Sequence, residues 1–287
     1  MACISCGSSS YATFSKESYL KIPIIKCNLC DLIITGESTN QLDTTMKNYY
    51  KNTAPITEIK NTIELDHKTS HGDYLYNLWN SHFEYCLTLF SKSKNLLEIG
   101  PGTGLALRLF ENKGFSVTGI EANTRYVDFI NKKLNHGKCV QGFAEDFQAS
   151  SKFDVIWLSH VFEHIVRPDL LLKKCRELLT DDGFIFIAVP DCQNPEILRQ
   201  SIHENASTYH YTKNTLKNLV EKNNFKIIKC ESYREFVRIE GREQMTLKKY
   251  FPSLSKKLCP FYPFKKTNSD NGVEIRIQIK KNNDNLN

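Results

Sequence analysis

The sequence predicts an α/β protein: seven strands in one largely parallel sheet, preceded by a small module that has no core of its own. Three observations point there. From residue 95 to 281 short apolar runs alternate with amphipathic stretches, the pattern of repeated strand–helix units. The first of those runs ends in a glycine-rich turn, Gly100-Pro101-Gly102-Thr103-Gly104. Four regularly spaced cysteines occupy residues 1 to 40, with little else there to form a core.

Size and composition are consistent with this. The chain has 287 residues, 40% hydrophobic and 24% charged, enough to bury a core without covalent staples. No run approaches the roughly 20 apolar residues of a membrane span. The opening Met1-Ala2-Cys3-Ile4-Ser5-Cys6 lacks the basic and apolar stretches of a secretory signal, so a cytoplasmic location is expected. The net charge is +6, much of it in lysine pairs such as Lys248-Lys249, Lys256-Lys257, Lys265-Lys266 and Lys280-Lys281. That balance reads as a solvated surface rather than a nucleic-acid footprint, and it also suits a phosphorylated substrate.

The expected strands are Asn95–Ile99, Ser116–Glu121, Lys138–Gly142, Asp154–Leu158, Phe184–Val189, Lys226–Ser232 and Val273–Lys280. Helical spacing recurs at Leu105–Asn112, Arg125–Leu134, Pro168–Leu179 and Asn214–Lys222. In Pro168–Leu179 the residues Leu170, Leu171, Cys175, Leu178 and Leu179 form the expected buried stripe. The last two strands have no periodic helix between them and should pair antiparallel, with about 237–268 as an insertion over the sheet edge. Residues 41–94 read as a helical linker or lid, with a helix from about His71 to Phe90. The division is therefore 1–40, 41–94 and 95–281.

The turn after Asn95–Ile99 carries the strongest functional signal. A buried strand ends in Glu98, and three alternate glycines feed a helix. Glycine lets the backbone turn tightly and approach a ligand, and a helix start presents unpaired N–H groups to an anion. The nicotinamide fingerprint needs Gly-x-Gly-x-x-Gly, but here the third glycine comes one residue early and Leu105 takes its place. A second strand ends in Glu121, 23 residues after Glu98, where a carboxylate can accept both hydroxyls of a ribose.

The Glu98-x-Gly100-x-Gly102-x-Gly104 form resembles motif I of the class I S-adenosylmethionine (SAM) dependent methyltransferases. The resemblance continues in order through Val117–Ala122, through Gln141–Asp146 and through Phe153–Pro168, which is similar to a broad bacterial group related to ubiquinone-type O-methyltransferases. Leu178–Asp191 and Tyr209-His210-Tyr211-Thr212 extend it to about residue 235. It implies a Rossmann-like seven-stranded methyltransferase sheet and a SAM site built from Glu98, Gly100, Gly102, Thr103, Gly104, Glu121, Ala122, Ala144, Glu145 and Ser159. Where the family usually has Asp after the third strand, this chain has Phe143, which moves the expected adenine contacts to Ala144, Glu145 and the Phe143 ring.

Ten cysteines in a chain without an export signal argue against a disulfide framework. Cys86, Cys139, Cys175, Cys192, Cys230 and Cys259 are scattered. Cys3-x2-Cys6 and Cys27-x2-Cys30, 20 residues apart, have the two-knuckle spacing of a structural zinc site. The small N-terminal module is therefore expected to be a zinc ribbon whose metal supplies its folding energy. A ribbon ahead of this methyltransferase type resembles a bacterial group that modifies sugars, lipids and secondary metabolites, and Asn40–Tyr50 looks like that group's linker.

For chemistry the resemblance implies in-line attack on a sulfonium methyl, with the protein supplying alignment and a base. His160 and His164, just beyond the fourth strand, are the leading base candidates, followed by His210 and Tyr211. Sugar C-methyltransferases of similar architecture carry Glu-His where this chain has Ala206-Ser207, and their extra C-terminal domain is not expected here. O- or N-methylation of a sugar, nucleotide sugar, lipid or secondary metabolite is expected instead. An RNA methyltransferase and a SAM-binding scaffold without activity stand as alternatives. Base-N-methylating enzymes often carry an Asn-Pro-Pro-Tyr-like step after strand four, and this chain does not.

Overall fold

The computed structural model describes residues 2–36, 40–52, 70–92, 94–234, 265–268 and 270–283. Most of the expected insertion at 237–268, and residues 53–69 of the expected linker, lie outside these. The chain opens with strands β1 (Tyr11–Ser15), β2 (Ile24–Cys27) and β3 (Ile33–Thr35), then helices α1 (Asn40–Asn52) and α2 (Ser70–Cys86). Next come β4 (Asn95–Ile99), α3 (Leu105–Asn112), β5 (Ser116–Glu121), α4 (Thr124–Asn131), β6 (Lys138–Gln141) and β7 (Phe153–Ser159). They are followed by α5 (Pro168–Leu178), β8 (Leu179–Pro190), α6 (Pro195–His203) and β9 (Tyr209–His210). The chain finishes with α7 (Lys213–Lys222), β10 (Phe225–Arg234), β11 (Lys265–Thr267) and β12 (Glu274–Lys281).

The main sheet runs β11-β10-β12-β8-β7-β4-β5-β6. Strands β8, β7, β4, β5 and β6 are mutually parallel, and β12 lies antiparallel between β8 and β10. The α/β, Rossmann-like sheet is thus as expected, with its last two strands antiparallel. The three-residue edge strand β11, too short to carry a periodic signal, makes an eighth strand.

Alternation along the central strands builds two cores. On β7, Ile156 and Leu158 face one side, while Val155 and Trp157 face the other. The second side is aromatic: Trp157 stacks on Phe186 at 4.0 Å and meets Phe110 edge-on at 4.9 Å. On β12 the same rule sends Ile275, Ile277 and Ile279 to the first core and Glu274, Arg276 and Gln278 toward α2. There Ser81 and Tyr85 of α2 accept bonds from Arg276 and Gln278, and His82 pairs with Glu274.

On α5 the buried stripe is Leu171, Leu172, Cys175 and Leu178, whereas Leu170 is exposed. The expected stripe was therefore rotated by one residue at its start. Leu179 belongs to β8, its fully buried first residue. Helix α1 lies in the stretch read as a helical linker, whereas α6 falls where the sequence marks no helix. Helix α1 buries Leu42 and Met46, one turn apart, against Val166 and Ala206 and against Leu20 and Ile22 of the N-terminal module. Helix α6 starts with Asn194, whose side chain accepts the Glu196 N–H, and has Pro195 in its first turn.

The N-terminal strands do not stand apart. Their sheet is β1-β2-β3-β9, so a strand of the α/β region completes it. Cys3, Cys27, Leu32 and Ile34 share one core with Tyr211, Leu216, Leu219 and Phe225.

Candidate active site and cysteine cluster

The turn from β4 to α3 is built on left-handed backbone. Gly100, Gly102 and Gly104 have φ of 66°, 53° and 72°, a region that side chains with a Cβ disfavour. A Cβ on Gly100 would strike Val161 and one on Gly104 would strike Ile130, but one on Gly102 would meet nothing within 4 Å. That open side is a cavity of about 600 Å³ at the carboxyl ends of β4, β5 and β7. Gly100, Gly102, Glu121, Ala122, Ala144 and Glu145 line it together with His160 and His164. Glu121 is 8% exposed and accepts the N–H groups of Gly102 (3.1 Å) and Asn123 (2.9 Å). Burial raises its carboxyl, against the pull of those amides.

Other expected SAM residues lie outside the lining. Thr103, Gly104 and Ser159 are in the supporting turn and strand end. Glu98 is buried beneath them, and burial lifts its carboxyl to about 8 despite the Leu107 amide, with nearby Glu121 adding to the rise. Its Oε2 has no hydrogen-bond partner among the described residues. The residues present thus fit SAM: an unfilled cradle over Gly102, a carboxylate at the end of β5, and an orphaned acid beneath.

One wall comes from the stretch read as a linker or lid, in which the sequence singles out no site residue. Helix α1 contributes Asp43, Met46, Lys47, Tyr49 and Tyr50, and the N-terminal module contributes Tyr19. Lys47 pairs with Asp43 at 3.0 Å and holds its ammonium 5.3 Å from the Phe143 ring centroid. The signal was present as Leu42 and Met46 at i, i+4 beside the pair Asp43–Lys47 at the same spacing.

The three candidate histidines part company. His160 (φ 54°) follows β7, and a single 3-10 turn, Phe162–His164, brings His164 to the same cavity. His160 Nε2 lies 2.8 Å from Glu274 Oε2. His164 Nδ1 lies 3.1 Å from the Ala206 carbonyl, and its ring is 5.2 Å from that of Tyr50. His210 is not in the lining. It is buried between Thr35 (3.0 Å) and Ser201 (2.8 Å), and burial lowers its imidazole to about 3, keeping it neutral. Tyr211 is also fully enclosed, beside Phe162 and Tyr209.

At the N-terminus the Sγ atoms of Cys3, Cys6, Cys27 and Cys30 all lie within 4.8 Å of one another. Two of the separations, Cys3–Cys30 and Cys6–Cys27, are 3.6 Å. Each pair sits in a matching turn: Gly7 N–H donates to the Cys3 carbonyl and Asp31 N–H to that of Cys27, with left-handed backbone at both Gly7 and Asp31. Four thiolates bonded to zinc at about 2.3 Å would stand about 3.8 Å apart, so the donor set fits a tetrahedral ion.

A mostly parallel sheet with the antiparallel strand β12 inserted between β8 and β10, and a cavity over a glycine turn at its carboxyl end, define a Rossmann-like methyltransferase fold. A methyltransferase-domain model matches residues 72–229, more than half of the chain, and the chain belongs to that family of SAM-dependent enzymes. It is 33% identical over 105 residues to the ubiquinone biosynthesis O-methyltransferase of Glaesserella parasuis, a match covering 33% of this chain and 44% of that one. The same-named protein of a Chelativorans species is 33% identical over 98 residues, covering 32% and 39%. The chain spans less than half the length of these curated relatives. Among solved structures, a Thermotoga maritima SAM-dependent methyltransferase, described as a possible histamine N-methyltransferase, is 15% identical with a TM-score of 0.57, covering 82% of this chain and 99% of that one. The plantazolicin methyltransferase BamL, solved with a triazolic desmethylPZN analog and S-adenosylhomocysteine (SAH), has a TM-score of 0.55 at 15% identity, covering 84% and 97%. At such identities these two establish the shared fold. Among the described residues no helix is long and apolar enough to cross a membrane.

Proposed function

We propose that this chain transfers a methyl group from SAM to an oxygen or nitrogen of a small-molecule acceptor. The observation that carries this reading is the single cavity in which the open face of Gly102, the Glu121 carboxylate and the His164 ring meet. Gly102 and the α3 N-terminus would take the methionine part, Glu121 the ribose, and Ala144, Glu145 and Phe143 the adenine. Bound there, SAM would supply an electrophilic methyl for the acceptor's lone pair, with the electrons of the carbon–sulfur bond leaving on sulfur. The Ala206 carbonyl can only accept, so His164 carries its proton on Nδ1 and leaves Nε2 to take the acceptor's proton. Lipid, sugar and secondary-metabolite acceptors all suit a wall of Tyr19, Tyr49 and Tyr50. The four cysteines would hold one structural zinc, since a closed thiolate set has no open position for chemistry.

Calorimetric titration with SAM tests the site. Gly102→Arg is expected to abolish binding by filling the cradle. Glu121→Ala is expected to weaken it by about 1–3 kcal/mol, the range for a lost charge-assisted hydrogen bond. Unchanged affinity in both variants would overturn the assignment.

A further inference from the structure

A buried carboxylate joins the two cavity histidines. Glu163 is 2% exposed, and its Oε1 lies 3.7 Å from His160 Nδ1 and 3.7 Å from His164 Nε2. Its Oε2 has no hydrogen-bond partner among the described residues. On the far side of His160, Nε2 meets Glu274 Oε2 at 2.8 Å. Glu274 is itself buried and also pairs with Arg276 and His82.

These partners give the two rings different protonation. Ionised carboxylates only accept, so a ring with a carboxylate facing each nitrogen carries both protons and is a cation. That ring is His160. His164 differs in meeting one carboxylate rather than two: a neutral backbone carbonyl holds its proton on Nδ1, and its Nε2 faces only the shared Glu163 oxygen, 3.7 Å away. A carboxylate beside an imidazole stabilises the imidazolium once it forms.

We propose that Glu163 is a positioning residue for methyl transfer. One carboxylate oxygen, shared by two rings, holds His160 as a fixed cation and steadies the charge His164 gains when its Nε2 accepts the acceptor's proton. This rests on the methyltransferase reading above. His160 then contributes a positive field at the mouth of β7, suited to an acceptor oxygen gaining negative charge, and His164 alone moves the proton. Burial disfavours a charged His160, but the Glu163 and Glu274 carboxylates outweigh it and hold the ring at about 10. Burial likewise raises Glu163, but His164 and His160 together keep it below the ordinary carboxylate range. The other titratable groups around the pair are Tyr50 on α1, His210 on β9, Cys192 after β8, Tyr211 after β9, and Glu274 on β12 with His82 behind it.

The test is nitrogen-detected NMR of the full chain carrying isotope-labelled histidine, with SAH added, across the neutral and alkaline range. In the wild type, His160 is expected to show two protonated nitrogens above neutrality, and His164 a proton on Nδ1 with a bare Nε2. Glu163→Gln, of the same shape but neutral, should lower the pH at which His160 loses its proton by about one unit or more, the usual effect of removing an adjacent opposite charge. Glu163→Asp, which keeps the charge, should fall between the two. A His160 midpoint that does not move in Glu163→Gln, or a His164 proton on Nε2 in the wild type, would overturn the proposal. Calorimetry with SAH on the same samples separates the two readings: a wild type that fails to bind SAH overturns the methyltransferase reading, while the histidine spectra still decide the role of Glu163.

Discussion

Glu274 gathers a buried cluster of His82, His160 and Arg276. Fully enclosed on β12, it faces His82, His160 and Arg276, and burial, which would raise it, is outweighed by those three, so its carboxyl lies well below the usual range. Removing one partner of a buried ionic cluster leaves the others uncompensated. Glu274→Gln is therefore expected to cost about 3–5 kcal/mol in urea unfolding at neutral pH. The pH dependence has a sign for each ring. His160 is raised from 6.5 to about 10, so its contribution to stability is complete below about pH 6.5 and is lost as the pH rises through 10. His82 is lowered by burial from 6.5 to about 4, so its contribution is complete above 6.5 and is lost as the pH falls toward 4. Thermal midpoints across pH should show an alkaline loss that Glu274→Gln reduces; an unaltered alkaline limb would count against the pairing. His164→Ala is expected to lower turnover by about 100-fold or more with SAM affinity intact, the effect of losing a general base. Near-wild-type turnover under saturating acceptor would return His164 to packing.

At the scale of elements, the informative contact is β3 against β9. Ile33 and Ile34 pair with His210 and Tyr209, and the Lys222 ammonium reaches the carbonyls of Cys3 and Ile4 at 3.3 Å. The cysteine module therefore has no separate core to melt. Metal analysis should find one zinc per chain, lost in a Cys3→Ser, Cys27→Ser double variant. That variant, or chelation, should lower the main unfolding transition of the whole chain rather than remove a small separate one. A double variant that keeps its metal, or a main transition that does not move, would argue against the coupling. Helix α1 shows the same dependence from the other side. Its apolar residues have partners only because Val166, Ala206, Leu20 and Ile22 converge from three distant parts of the chain. Its Lys51 carbonyl accepts the Asn123 side chain at the end of β5, which ties this wall of the cavity to the sheet.

At the scale of the molecule, one cavity draws on the cysteine module, on α1 and on the carboxyl ends of three parallel strands. A ligand that binds only this assembled state stabilises all of it, by about 2.7 kcal/mol at a concentration 100 times its dissociation constant. SAM should therefore raise the thermal midpoint of the wild type and leave that of Gly102→Arg unmoved; an equal rise in both would place its binding elsewhere. The sequence by itself determined the strands and the helices between them, because apolar period and turn chemistry are local and leave their pattern in neighbouring residues. It also determined the glycine turn, the acid at the end of β5 and the four cysteines, whose chemistry depends on short spacings. Only the tertiary structure decided which side chains meet. Tyr19 and Tyr50 reach the same cavity, His210 leaves it for the sheet of the cysteine module, and Glu163 comes to stand between two histidines that Glu274, 111 residues away, helps to tell apart. Those encounters are long-range: no local period encodes them, because each depends on strand order and on packing between elements far apart in the chain.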